Sequence, residues 1–183
     1  MPFIVQENLK EKILRQYQRN MAQYPQKQEE VEQWLSGKSA CHSLCLKFLY
    51  GHMPFIDIVS FSVETIAGYV TSALQAYEQI PYVRTIPQDI FLTYVVSHPV
   101  NSECLHGSRP TLMEMIKPHV MEKSMRDAAL AVNYWCYSQA TYTPADDRTL
   151  GPLSIMRRTL GRCGEESVLC VAAMRSVGIP ARQ

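Results

Sequence analysis

The chain has almost no net charge: 18 Lys and Arg stand against 17 Asp and Glu among 183 residues, a formal balance of +1. That leaves no electrostatic ground for nucleic acid or acidic lipid as a partner. Long apolar runs are missing as well, and none approaches the ~20 residues that a membrane helix requires. The first residues, Met1-Pro2-Phe3-Ile4-Val5, lack the basic flank and apolar core of a secretory signal. Six cysteines are present (Cys41, Cys45, Cys104, Cys136, Cys163 and Cys170). With no signal and enough chain to build a core, reduced thiols are expected rather than disulfides, and a cytoplasmic location follows. Cys41-His42-x-x-Cys45 has metal-binding residue types, but no second pair stands at zinc spacing. These residues are therefore read as packing on an apolar helix, and no metal or cofactor is expected. Internal repeats, low-complexity tracts and hairpin signals are absent, and strand patterns nearly so.

What is present is helix after helix, in a chain that is 46% hydrophobic and 19% charged and so able to build a core. From Val5 to Met21 the residues Leu9, Ile13, Tyr17 and Met21 share one face at helical spacing. Pro25 opens a second helix that turns Val31, Trp34 and Leu35 inward and stops at Gly37. Ser39 is placed to cap a third, running to Gly51, and Met53-Pro54 breaks it. Ser62 opens a long helix with Ile66, Val70, Leu74 and Tyr77 in line. Pro87 is expected in the first turn of another, ending before Pro99. Pro110 and Pro118 bracket a short helix, and a longer one is predicted from about Val120 to Ser138. Thr141 to Pro152 reads as a surface loop. The last helix is predicted from Cys163 to Val177, with Gly178 left-handed past its end and Ile179 to Gln183 extended.

Chemistry concentrates in Gly161-Arg162-Cys163-Gly164-Glu165-Glu166, which sets a thiol at the start of that last helix. A helix start has unsatisfied N–H groups and a partial positive charge, and both favour a thiolate, the reactive form of cysteine. Arg162 adds to this; Glu165 and Glu166 suit the helix dipole but oppose the thiolate. Two glycines leave room for a substrate. The plain alternative is a small core residue beside a helix cap.

This run, with Met174-Arg175-Ser176-Val177-Gly178-Ile179-Pro180-Ala181-Arg182 in register behind it, resembles the nucleophile segment of the transglutaminase-like superfamily. A weaker likeness to the helical region ahead of the core in multidomain bacterial members touches Phe48 to Pro54, Ile86 to Phe91 and Val100 to Glu103. The resemblance implies a mainly α chain, the helical portion of an α+β papain-like fold whose sheet would follow residue 183. Residues 1–119 would be an N-terminal helical region, and 120–183 the first part of the catalytic core. It also implies Cys163 as a nucleophile that attacks a carboxamide carbonyl, activated by a His that an Asp orients. His42, His52, His98, His106 and His119 all precede Cys163 without the expected context, so both partners are expected beyond Gln183. Trp135 is a candidate oxyanion donor by its chain position, the backbone N–H of Cys163 a second candidate, and core packing the bland reading of that indole.

The expected function is thus a cysteine acyl transferase or hydrolase on peptide or carboxamide bonds, hydrolysis preferred over cross-linking, and inactive without the remainder of its core. That remainder would come in cis or from another chain, the substrate would be a peptide or protein, and neither nucleic acid nor membrane is expected. Until completed by a sheet, the apolar face of the Cys163 helix would lie uncovered. The competing expectation is a non-catalytic helical interaction module or degenerate relative, with a redox or metal protein a distant third. Cys170, two turns after Cys163, reads as core. Asn101 and Glu103 read as loop anchors near the site or as turn residues.

Overall fold

A computed structural model describes residues 5–105, 107–144 and 149–183. His106, the reading of residues 1–4 and the middle of the anticipated 141–152 loop lie outside it. The chain begins with α1 (Glu7–Met21), α2 (Pro25–Leu35), α3 (Ala40–His52), α4 (Phe55–Ser60) and α5 (Val63–Gln79). A 3-10 turn, Pro81–Thr85, leads to α6 (Gln88–Phe91), which continues as a wide π turn over Leu92–Val96. Then come α7 (Ser108–Val120), α8 (Met125–Gln139), strand β1 (Thr141–Tyr142), α9 (Pro152–Arg158), strand β2 (Leu160–Gly161) and α10 (Cys163–Ser176). The described residues are mainly helical, as expected, and none of their helices is long and apolar enough to cross a membrane.

Helix starts follow local chemistry. Ser39, Ser62 and Ser124 each accept a hydrogen bond from the backbone N–H three residues on, at 3.4, 3.2 and 3.2 Å, and each opens a helix. Pro25 fills a first-turn position, where its missing N–H costs nothing. Ile13, Tyr17 and Met21 of α1 are buried along α3, and Gln16 Nε2 donates to Gly51 O across that pair at 3.1 Å.

Several boundaries differ from expectation. Pro110 and Pro118 do not bracket a helix but lie within α7. The first falls in the opening turn; the second costs one hydrogen bond near the end, where packing of Leu112, Ile116 and Val120 outweighs it. The following helix starts at Met125 rather than Val120, because Ser124 supplies the cap. Pro87 precedes its helix instead of entering it. The supposed loop after Thr141 contains β1 and delivers Pro152 as the first residue of α9.

α10 lies at the centre of the second half, against α7, α8, α9 and α5. Its residues Val168, Leu169, Val171, Ala172 and Ala173 are all buried, so its apolar surface is covered by helices and not left open for want of a sheet. Past its end, Gly178 has φ +76° and lies so close to Val83 that an added Cβ would stand 2.3 Å from Val83 Cγ2. Tyr82 Oη donates to Val177 O at 3.0 Å, holding the same junction. Gly178→Ala combines left-handed strain with a clash, so it should destabilise the fold by roughly 2–4 kcal/mol, read by urea denaturation.

Candidate active site

The start of α10 is built by three short pieces of chain. β1 and β2 pair in parallel, Thr141 opposite Leu160 and Tyr142 opposite Gly161. The N–H of Thr141 donates to Thr159 O at 2.9 Å, and that of Thr143 to Gly161 O at 2.8 Å. Arg162 follows at once in an extended conformation, and Cys163 is the first helical residue. The strand stub therefore aims the chain and sets where the helix begins.

Glu165 locks this arrangement. Its carboxylate is 2% exposed and accepts from the backbone N–H of Arg162 at 2.7 Å. The Arg162 guanidinium donates to it as well, through Nε at 3.3 Å and Nη2 at 3.1 Å. Burial alone would raise its pKa. The side-chain, backbone and charge interactions with Arg162, joined by the backbone N–H of Leu150, outweigh burial and hold it below the ordinary value. This is one arm of a capping box; a guanidinium has no acceptor with which to return the other. Gly161 is needed here because an added Cβ would meet Glu165 Cβ at 3.2 Å, whereas the space beside Gly164 is open.

Cys163 itself is exposed and free. Among the described residues, the backbone N–H groups of Cys163 and Gly164 have no protein acceptor, as first-turn groups ordinarily lack one. Ser167 Oγ donates to Cys163 O at 2.9 Å, tying the first turn to the second. No described histidine is bonded to the thiol. His98 borders the cavity that holds Arg175, twelve residues along α10, which is about 18 Å of helix. Burial first, then the charges of Arg109 and Arg175, lower His98 to about 3, so it is a neutral ring. His52 Nδ1 donates to Phe48 O at 2.8 Å within α3, and His42 is at that helix's other end, beside Ser39 Oγ. Cys45 is fully buried in α3, with its pKa pushed up by burial and the neighbouring Cys41.

The groove that Trp135 lines does not include Cys163. Trp135 shares this groove, of about 790 Å³, with Pro118, His119, Lys123 and Tyr134, between the end of α7 and the outer face of α8. The next residue, Cys136, lines a different groove together with Cys170 of α10, seven residues or about 10 Å of helix beyond Cys163. Asn101 and Glu103 prove to be turn residues: Glu103 accepts from the N–H groups of Val100 and Asn101, both at 2.7 Å.

Two elements of the site were missed in the sequence. Glu165 is a buried anchor, and the spacing of an acidic residue three positions after a helix cap was the available signal. Arg175 is 5% exposed and donates to Ala181 O at 2.9 Å and to Ser97 O and Pro99 O at 3.2 Å each. Arg109 joins it, donating to Val95 O at 2.7 Å and to Ser97 O. An arginine inside an apolar helix was the only sign of this.

Residues 115–183 match the family model described as the transglutaminase-like superfamily, which bears out the resemblance for that segment; residues 1–114 lie outside the match. No curated protein and no solved structure matches the chain.

Because the folded state lowers the Glu165 pKa, its stabilisation is complete above the unfolded value of about 4.3 and is lost as pH falls through the folded one. Glu165→Gln should therefore cost about 1–3 kcal/mol at pH 7. In urea melts the gap between variant and parent should narrow below pH 4; a gap independent of pH would show that the carboxylate's charge plays no part.

Proposed function

We propose, taking the transglutaminase-like segment at residues 115–183 as premise, that Cys163 is the nucleophile of a cysteine acyl transferase or hydrolase acting on peptide or carboxamide bonds. The observation that carries this reading is an exposed thiol standing first in a helix whose own start is anchored by a buried carboxylate. The thiolate attacks the carbonyl carbon, and the displaced π pair becomes an oxyanion. The free N–H groups of the first turn are the donors nearest to that charge, so oxyanion stabilisation is assigned to the backbone rather than to Trp135. The amine leaves with a proton, and water or a second amine resolves the acyl-enzyme.

The general base is assigned to a histidine outside the described residues, in the same chain or another, since none of the described histidines touches Cys163. A peptide or protein substrate suits the surroundings. Tyr137 of α8, Tyr142 of β1 and Leu160 of β2 are exposed around the approach to α10, at 85%, 58% and 39%. The same missing contact favours a second reading, a helical interaction module in which α10 serves only as core.

Alkylation separates the two. Cys104 is also exposed and free, and serves as an internal reference thiol. With the base-bearing remainder of the core present, Cys163 should react with iodoacetamide faster than Cys104 at and below pH 7, and Cys163→Ser should lower turnover of a carboxamide peptide by about 10³-fold or more. A Cys163 rate that tracks Cys104 at every pH, with no turnover, would leave the interaction module in its place.

A further inference from the structure

α8 and α10 meet through a pair of thiols that the proposed chemistry does not use. Cys136, 8% exposed on α8, and Cys170, half-buried on α10, lie where these two packed helices meet. Both line a groove of about 200 Å³, bordered also by Asn133, Tyr137, Glu166 and Leu169. Contact alone would be ordinary core packing. Here the groove opens the pair to small molecules, and the two sulfurs are already neighbours.

We infer that Cys136 and Cys170 form an oxidisable dithiol, a site at which peroxide closes a reversible disulfide between α8 and α10. Cys170 is the thiol oxidised first. It lines the groove and accepts hydrogen bonds from Cys136 and from the Asn133 side chain, which favour its thiolate; burial opposes them without prevailing. Cys136 is pushed the other way, first by donating its hydrogen bond and then by burial, so it enters as the resolving thiol.

The Cys170 thiolate attacks one peroxide oxygen and the O–O bond breaks, giving a sulfenic acid and hydroxide. Cys136 gives its proton to that hydroxide, forming water, and its sulfur attacks Cys170. The S–O bond then breaks, and the leaving hydroxide takes a proton to become the second water. Two thiols lose two electrons in all, and one peroxide gains them. Because both side chains line one groove between packed helices, closure calls for rotation of side chains within it. The inference does not depend on a role for Cys163.

The test treats the native protein with a slight excess of hydrogen peroxide, blocks remaining thiols, and maps peptides by mass spectrometry. Cleavage after Glu165 and Glu166 separates Cys163 from Cys170. The expected result is a Cys136–Cys170 cross-linked peptide, loss of two of the six thiols from that pair, and full recovery with dithiothreitol. In Cys136→Ser, the Cys170 sulfenic acid should persist and be trapped by dimedone, while the native protein gives little adduct at that position. Cross-links that avoid the pair would overturn the inference. So would a Cys170 that stays a thiol while Cys104 and Cys163 oxidise, or an equal dimedone yield in both proteins.

Discussion

A buried carboxylate is costly unless each of its oxygens has a donor, and Glu165 meets that condition with groups drawn from two stretches of chain. The Arg162 backbone and guanidinium come from the segment entering the helix, and Leu150 comes from the approach to α9. Withdraw the carboxylate and these donors lose their common acceptor at the start of the helix. The position of Cys163 is a consequence. It is held not by contacts of its own side chain but by the residue two places further on.

The opposite end of α10 is fixed by different means. Arg175 and Arg109 are nearly buried guanidiniums that converge on Ser97 O, and together they satisfy carbonyls from Val95 to Pro99 and at Ala181. Burial lowers both arginines, to about 10 and about 9, yet leaves them charged at neutral pH. Carbonyl dipoles, Glu103 and the Tyr69 ring supply the compensation. A central helix gripped at both ends, with apolar walls between, presents its first residue on a stiff mount. Such stiffness is worth having where a reacting atom must be positioned to within about 0.5 Å.

Legibility in the sequence followed the range of the interactions concerned. Ser39, Ser62 and Gly178 act on neighbours a few positions away, so the helix ends they control could be read directly. The Cys163 motif was readable for the same reason, being a strand end, a cap and a first turn in succession. Pro118 misled because a proline's cost is local whereas the burial that overrides it, at Ile116 and Val120, is tertiary. The wide turn at Leu92–Val96 has no propensity signature, and its end is where Arg109 takes the Val95 carbonyl while Arg175 takes carbonyls just beyond it. Cys136 and Cys170 are 34 positions apart, and nothing in either local sequence marks them as neighbours. Trp135 was chosen by chain position, which does not register that adjacent helical residues point about 100° apart.

Magnitudes decide how much the geometry at Cys163 accomplishes alone. A helix terminus stabilises a nearby exposed anion by about 0.3–1 kcal/mol, less than a factor of ten. A positioned general base contributes about 10²–10⁴-fold, and a preorganised oxyanion donor about 10²–10³. What is present among the described residues, a mounted thiol and free backbone donors, therefore accounts for placement and part of the oxyanion stabilisation. It leaves proton transfer unassigned. The described histidines do not fill that role: His98 is walled in by two guanidiniums near the far end of α10, and His119 shares its groove with Trp135. A base that completed the site would have to reach the exposed thiol of Cys163 from the solvent side.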